Sequence, residues 1–209
     1  MTRIILVRHG QTEWNRVERF RGRADVPLNE TGLVQAEVTG KRISAEWLPM
    51  AVYSSPLSRA VKTAESIAGY FNLAVRVHTG LIDIDYGQWE GLTPDEVRER
   101  WPEMIDGWYN TPAFIRIPGG ETLPDVRARA MEAVNELVDC HGGQTVVVVG
   151  HTVINRIILL GVLGLSNDRF WHLHQDTCAI NCFEAGGGDF TLLLLNDTCH
   201  LRSEMQYNK

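Results

Sequence analysis

The residues best suited to chemistry follow a short apolar run near the start of the chain. Residues 4–7 (IILV) lead directly into Arg8-His9-Gly10. A neutral imidazole can attack phosphorus, and a neighbouring guanidinium can bind phosphate oxygens through its planar fork of N–H donors. Gly10 leaves the backbone free to turn and to let a phosphate approach. Taken alone these three residues are weak evidence, because a single histidine at a strand end often has only a structural role.

Two more apolar runs end in polar residues in the same way. Residues 146–149 (VVVV) are followed by Gly150-His151, and residues 51–53 (AVY) are followed by Ser54-Ser55-Pro56. Short continuous apolar runs are typical of strands buried on both faces of a sheet. Since ligands bind beyond the carboxyl ends of parallel strands, the three polar clusters predict one binding site.

Helical apolar periodicity fills the segments between these runs. Stripes spaced by three and four residues predict helices over residues 33–47, 57–71 and 123–137. Asn29 or Thr31 is suited to cap the first helix, and Glu121-Thr122 opens the third.

The end of the chain has a different pattern. Residues 179–185 and 190–195 flank Gly186-Gly187-Gly188-Asp189, which is typical of a β-hairpin. The whole pattern predicts a single domain over residues 1–209. Its expected fold is a three-layer α/β/α sandwich with a mostly parallel central sheet and one antiparallel strand element.

Charge and composition restrict the partners. The net charge is −6, which argues against a nucleic-acid or acidic-membrane binder. Residues 1–23 nevertheless hold six arginines against two glutamates, a patch that suits a small anionic metabolite. The N-terminus has no secretory signal pattern and no apolar run is long enough to span a bilayer, so we expect a cytoplasmic protein. The sequence leaves open whether the chain forms a homodimer.

The four cysteines form no CxxC pair, and the chain is too long to need disulfide staples. We therefore expect all four to be reduced and to lie in or near the core.

A series of short motifs extends over nearly the whole chain. The longest is LVRHGQTEWN at residues 6–15. The others, in order, are Arg21-Gly22, Asp25, Pro27-Leu28, Thr31-Gly32, Ser54-Ser55-Pro56-Leu57-Ser58-Arg59-Ala60, Thr63-Ala64, Tyr86-Gly87-Gln88-Trp89-Glu90-Gly91, Gly120-Glu121-Thr122, Val149-Gly150-His151, Asn196-Asp197 and His200-Leu201. This series resembles the histidine phosphatase superfamily, also known as the phosphoglycerate-mutase-like family.

The resemblance implies a metal-independent enzyme that needs no cofactor. It implies that His9 is the nucleophile and becomes phosphohistidine, and that Arg8, Arg59 and His151 hold the phosphate. The substrate-binding residues that it implies are Arg8, Gln11, Asn15, Arg21, Gly22, Arg59 and His151. Arginines and histidines supply the charge-assisted donors that a phosphoryl group requires as charge develops on its oxygens.

The general acid departs from the family pattern, which commonly has a glutamate ahead of an aromatic-Gly pair. Alignment on Tyr86-Gly87 places Asp83 at that position. Burial can raise the pKa of an aspartate enough for it to protonate a leaving alcohol and later to activate water. Asp85 is the neighbouring candidate, and we favour Asp83. Glu90 is structural by resemblance.

The family contains both mutases and phosphatases. Mutases carry a lysine soon after Gly-Leu and a Trp-Arg-Arg triplet, whereas this chain has Gly91-Leu92-Thr93-Pro94 and Trp108-Tyr109-Asn110. The missing cations and Gly119-Gly120-Glu121-Thr122 resemble the phosphatase branch, which includes broad-specificity and α-ribazole phosphatases. We therefore expect a hydrolase of small phosphate monoesters, with a cofactor-dependent phosphoglycerate mutase as the alternative.

The same region has apolar residues that could form a substrate wall or simply core under a lid. They are Trp101, Met104, Trp108, Tyr109, Phe114, Ile115 and Ile117.

Two alternatives come from other classes of protein. His172, His174, Asp176 and Cys178 have a spacing compatible with metal ligands, but no second ligand cluster accompanies them. A non-catalytic module on this fold predicts a broken core of site residues, yet only the glutamate-to-aspartate change departs from the pattern.

Overall fold

The central sheet is mostly parallel. The computed structural model describes residues 1–202, and in this part of the chain the sheet has six strands in the order β3-β2-β4-β1-β5-β6. They are β1 (Thr2–Arg8), β2 (Ala51–Ser54), β3 (Val75–Val77), β4 (Thr145–Gly150), β5 (Ile180–Gly186) and β6 (Asp189–Asp197). Strands β1 to β4 pair in parallel, and β5 is antiparallel to both of its neighbours.

The helices follow the predicted stripes. The α-helices are α1 (Glu13–Arg16), α2 (Glu30–Glu46), α3 (Ser58–Gly69), α4 (Pro94–Arg100), α5 (Pro102–Asn110), α6 (Leu123–Cys140), α7 (Thr152–Val162) and α8 (Cys199–Arg202). Asn29 caps α2 by accepting a hydrogen bond from the Gly32 amide, and Thr122 caps α6 through a reciprocal capping box with Asp125. The three predicted helices and the hairpin are confirmed, with ends shifted by a few residues.

Alternate side chains of the strands build two cores. Ile4 and Leu6 pack with the side of the sheet that α6 and α7 cover. Ile5 and Val7 point the other way, toward α2 and α3. Because side chains alternate across a strand, one continuous apolar run serves both faces. The predicted three-layer sandwich is confirmed, while the single domain over 1–209 stays a prediction whose last residues, 203–209, lie outside the described part.

The site is positioned by three neighbouring parallel strands. Beyond the end of β1, the His9 amide donates to the Gly150 carbonyl at 3.0 Å, and beyond β2 the Ser55 amide donates to the Val149 carbonyl at 3.0 Å. These bonds extend the sheet ladder by one residue on each side of β4. His9, Ser55 and His151 are thereby fixed at one edge of the sheet.

The cysteine prediction is partly wrong. Cys178 and Cys182 are buried as expected, but Cys140 and Cys199 are exposed, because they lie at the end of α6 and the start of α8. All four are free thiols. Among the helices of residues 1–202, none combines the length and the apolar character that a membrane span requires.

Candidate active site

The His9 imidazole is held in one tautomer. The ring is buried, and its Nδ1 lies 2.6 Å from the carbonyl oxygen of Gly10. A carbonyl oxygen can only accept, so Nδ1 carries the proton and donates it. In the neutral ring this leaves the lone pair on Nε2, the nitrogen available to attack phosphorus.

The surroundings of His9 keep the ring neutral. Burial lowers its pKa well below the ordinary value, and the charges of His151, Arg59 and Arg8 lower it further. The His151 ring lies 5.0 Å from that of His9, centroid to centroid. The positive groups around His9 thus have two effects. They disfavour the imidazolium form of the ring, and they attract a phosphate.

Gly10 is required by packing as well as by the turn. A β-carbon at this position would collide with the backbone carbonyl of Gly32, in the first turn of α2. The Gly10 amide donates to the Thr63 hydroxyl at 3.1 Å. This hydrogen bond to α3 fixes the His9–Gly10 peptide, which directly precedes the peptide whose carbonyl fixes the His9 tautomer.

His151 is held between α3 and β2. Its Nδ1 accepts a hydrogen bond from Arg59 Nε at 3.3 Å, and its Nε2 lies 2.7 Å from the Ser55 hydroxyl. Arginine Nε only donates, so His151 Nε2 carries the proton and donates to Ser55. Burial first, and then the charge of Arg59, lowers the pKa of His151 well below its ordinary value.

Arg59 is fully buried at the start of α3. Its two terminal nitrogens donate to the carbonyl oxygens of Ala24 and Gly22, at 2.7 and 2.8 Å. Glu90 also holds this loop of residues 22–24, because its carboxylate accepts hydrogen bonds from the backbone amides of Arg23 and Ala24 at 2.7 and 2.9 Å. The loop and Glu90 therefore act as a socket for the Arg59 guanidinium.

Arg8 stands at the edge of a cavity of about 350 Å³. One terminal nitrogen donates to the Gln175 carbonyl at 2.6 Å, whereas its buried Nε has no partner among residues 1–202. Burial lowers its pKa to about 9, so the side chain stays charged at neutral pH. An unpartnered N–H next to His9 is suited to a phosphate oxygen.

The two candidate acids have different environments. Asp83 is buried, lines the cavity and has one carboxylate oxygen without a partner among residues 1–202. Burial raises the pKa of Asp83, although Arg59 and Arg21 oppose the shift. Asp85 faces Arg23 instead, at 3.3 Å, and accepts a hydrogen bond from the Gly87 amide at 2.8 Å. The geometry therefore favours Asp83 as the proton donor.

The Asp83 backbone is fixed by Arg129 from α6. The guanidinium donates to the carbonyl oxygens of Gly80, Ile82 and Asp83, at 3.0, 2.5 and 3.0 Å. It also forms a salt bridge with Glu121 at 3.0 Å. These bonds hold a 3₁₀ turn and the irregular backbone after it against α6.

A sequence model described as the histidine phosphatase superfamily (branch 1) matches residues 4–198. The chain belongs to the histidine phosphatase superfamily. The enzyme is a phosphoric monoester hydrolase, as the motifs predicted, and the mutase alternative is less favoured.

Relatives of this histidine phosphatase have informative names. Phosphoserine phosphatase 1 of Hydrogenobacter thermophilus is 38% identical over 201 residues, which cover 96% of this chain and 95% of the relative. The metal-independent phosphoserine phosphatase of Arabidopsis thaliana is 37% identical over 169 residues, or 80% and 71% of the two chains. The solved structure of Bacillus stearothermophilus YhfR has a TM-score of 0.92 and 33% identity, covering 97% of this chain and all of that one.

The structure brings most of the predicted site residues of this histidine phosphatase together. Asn15 and Arg21 line the cavity with Arg8 and Asp83. Gly22, at a positive φ of 50°, contributes its carbonyl to the Arg59 socket. Gln11 is directed elsewhere, since its side-chain oxygen accepts a hydrogen bond from the side-chain amide of Asn29 at 2.9 Å.

The residues of the predicted apolar wall have four different environments. Trp108 and Tyr109 line the cavity, Ile117 is buried in the core, Trp101 and Ile115 are partly buried, and Met104 and Phe114 are exposed. The residues of the alternative metal site lie in and after a 3₁₀ turn, with His174 3.0 Å from Asp176 and Cys178 buried.

Four further residues contribute to the site and were not assigned by sequence reasoning. Ser55 holds His151, Gln175 holds Arg8, and Thr152 and Arg156 line the cavity from α7. Ser55 was within a quoted motif, but its partner is 96 residues away. Arg156 interrupts the apolar run of residues 153–165, and a charged residue in such a run is the signal that could have revealed it.

Proposed function

We propose that this enzyme hydrolyses O-phosphoserine and similar small phosphomonoesters through a phosphohistidine on His9. One observation carries the proposal. The buried His9 imidazole is neutral, has its Nδ1 committed to the Gly10 carbonyl, and stands among Arg8, Arg59 and His151. That arrangement provides a nucleophile and the positive charge that phosphoryl transfer requires.

The reaction divides into two displacements at phosphorus. In the first, His9 Nε2 forms the N–P bond while the ester O–P bond breaks, and the Asp83 carboxyl gives its proton to the leaving oxygen. In the second, the Asp83 carboxylate takes a proton from water as the water oxygen attacks phosphorus. The N–P bond breaks, inorganic phosphate leaves, and His9 and Asp83 return to their starting states.

The substrate class is supported by the cavity and by the relatives. The cavity of about 350 Å³ admits a small metabolite, and its walls combine arginines with the aromatic side chains of Tyr86, Trp108 and Tyr109. Two relatives at 37% and 38% identity are named phosphoserine phosphatases.

Whether water accepts the phosphoryl group is tested with a panel of phosphomonoesters. The panel is assayed beside 3-phosphoglycerate with added 2,3-bisphosphoglycerate. We expect release of inorganic phosphate from O-phosphoserine and little interconversion of 2- and 3-phosphoglycerate. The sequence lacks the cationic pair at Trp108-Tyr109-Asn110 that mutases of the family carry, which supports water as the acceptor. Efficient mutase turnover would contradict the proposal.

The role of the arginines predicts how the enzyme responds to metal removal and to vanadate. Because guanidinium groups meet the phosphoryl oxygens, phosphatase activity should stay within about twofold after dialysis against excess chelator. Vanadate should inhibit competitively, since it adopts the five-coordinate geometry of the transition state. Initial rates with and without chelator provide the measurement, and activity that returns only with a divalent cation would refute this mechanism.

The pH dependence of kcat/KM follows from two pKa shifts. His9 must be neutral, and its lowered pKa keeps it so until the pH falls well below 6.5. Asp83 must be protonated for the first step, and its raised pKa means that the rate falls as the pH rises through that value. For an alkyl monoester, after correction for ionisation of the substrate, we expect an alkaline limb that Asp83→Asn removes. A limb that persists in that variant would assign it to another group.

A further inference from the structure

Arg156 is a buried cation without a polar partner. The residue is 7% exposed, and neither a hydrogen bond nor an ion pair joins its side chain to any other residue within 1–202. Its guanidinium carbon lies 5.0 Å from the centre of the Phe170 ring and 4.9 Å from that of Trp171. Aromatic rings support a guanidinium but do not satisfy its N–H donors, and a buried unsatisfied charge is costly.

The position of Arg156 directs it into the cavity that Arg8 and Asp83 line. It lies on α7 five residues after His151, roughly 7–8 Å further along the helix axis. Side chains on a helix tilt toward its N-terminus, which here is the end that carries His151. Arg156 lines the same cavity as Arg8 and Asp83.

The wall around Arg156 has more unused hydrogen-bonding groups. Thr152 lies one helical turn before Arg156 on the same face of α7, and its buried hydroxyl has no partner in the described residues. The Trp108 indole N–H is also buried and has no hydrogen-bond partner in the described residues. With Arg8 and Asp83 they make five cavity-lining residues with an unpartnered buried atom, so the cavity has the character of a polar ligand site.

We propose that Arg156, assisted by the Thr152 hydroxyl, binds the carboxylate of the phosphorylated substrate while the phosphate occupies the His9 site. The inference rests on the proposed function, which supplies the phosphomonoester. It assigns to Arg156 the discrimination between phosphorylated hydroxy acids and phosphorylated alcohols that lack the acid.

The geometry fits a carboxylate. Packing against Phe170 and Trp171 restricts the faces of the guanidinium, so its planar edge is the part left to bind a ligand. A carboxylate matches that edge with two parallel N–H···O bonds. Burial lowers the pKa of Arg8, and repulsion by Arg21 and then by Arg156 lowers it further. A substrate with an anionic group at each end relieves this repulsion.

The experiment compares two substrates that differ only in the carboxylate, O-phospho-L-serine and O-phosphoethanolamine. Arg156→Met keeps a flexible apolar stem against the aromatic rings and removes the charge. We expect kcat/KM for phosphoserine to fall roughly 10- to 100-fold, mainly through KM, and kcat/KM for phosphoethanolamine to fall less than about threefold. Arg156→Lys should recover part of the loss.

The matched control is Arg100→Met, the same change on the exposed surface of α4. It should leave both substrates as in the parent enzyme. Equal losses of Arg156→Met on the two substrates, or no loss on either, would overturn the carboxylate assignment while phosphatase activity stands. If the parent enzyme hydrolyses neither substrate but turns over other monoesters, the phosphoserine proposal fails instead. Melting temperatures of all variants separate these results from misfolding.

Discussion

Replacement of His9 by alanine should abolish turnover and eliminate acid-labile phosphate on the protein. His9 Nε2 is the nitrogen whose lone pair is left free by the Nδ1 bond to Gly10, and no other group is placed to form the covalent intermediate in our mechanism. Loss of a covalent nucleophile costs on the order of 10⁶-fold in kcat. Phosphate release and acid-labile phosphoenzyme in rapid-quench samples are the two measurements.

The control for this variant is His172→Ala, which removes an exposed histidine from the 3₁₀ turn after α7. It should retain both turnover and the phosphoenzyme. A His9→Ala protein that still traps acid-labile phosphate would show that another side chain is the nucleophile. The cavity would then have to be reinterpreted around that residue.

Replacement of Asp83 by asparagine should give the second largest loss, and one that depends on the leaving group. Asparagine keeps the shape and the hydrogen bonding of Asp83 but cannot transfer the proton, so alkyl monoesters should lose on the order of 10²–10⁴-fold in rate. With p-nitrophenyl phosphate the leaving group needs little protonation, so phosphorylation of His9 should suffer much less. Dephosphorylation should become limiting, and phosphohistidine should accumulate in rapid-quench samples.

Asp85→Asn is the matched comparison, since the same change two residues away removes a carboxylate that faces Arg23 rather than the cavity. It should show neither the leaving-group dependence nor the accumulation. The assignment is reversed if Asp85→Asn has the leaving-group-dependent loss and Asp83→Asn does not. If neither variant does, the acid lies elsewhere.

The sheet was predictable because the composition of its central strands indicates that they are buried. The runs at residues 4–7 and 146–149 are apolar at every position, which is typical of a strand covered on both faces. The choice between Asn29 and Thr31 as the cap of α2 was not predictable. Both residue types cap helices, and the observed bond from the Gly32 amide to Asn29 depends on where the backbone first turns.

The less predictable parts of the site depend on contacts between distant segments. Arg156 packs against Phe170 and Trp171, which follow α7 after a turn, so these contacts cannot be read from its neighbours in sequence. The same holds for Gln175, whose carbonyl reaches Arg8 from 167 residues away. The motifs along the chain indicated the residues that we propose to react, whereas the contacts that hold them required the fold.

The socket around Arg59 has a consequence for how tightly a phosphate is held. A long side chain loses up to about 2 kcal/mol of rotamer entropy when it becomes fixed. In Arg59 the carbonyls of Gly22 and Ala24 impose this loss when the chain folds, before any substrate arrives. Binding of a phosphate then orders nothing further in that side chain. The entropy cost of fixing Arg59 therefore lowers the free energy of unfolding of the protein and does not weaken its affinity for the substrate.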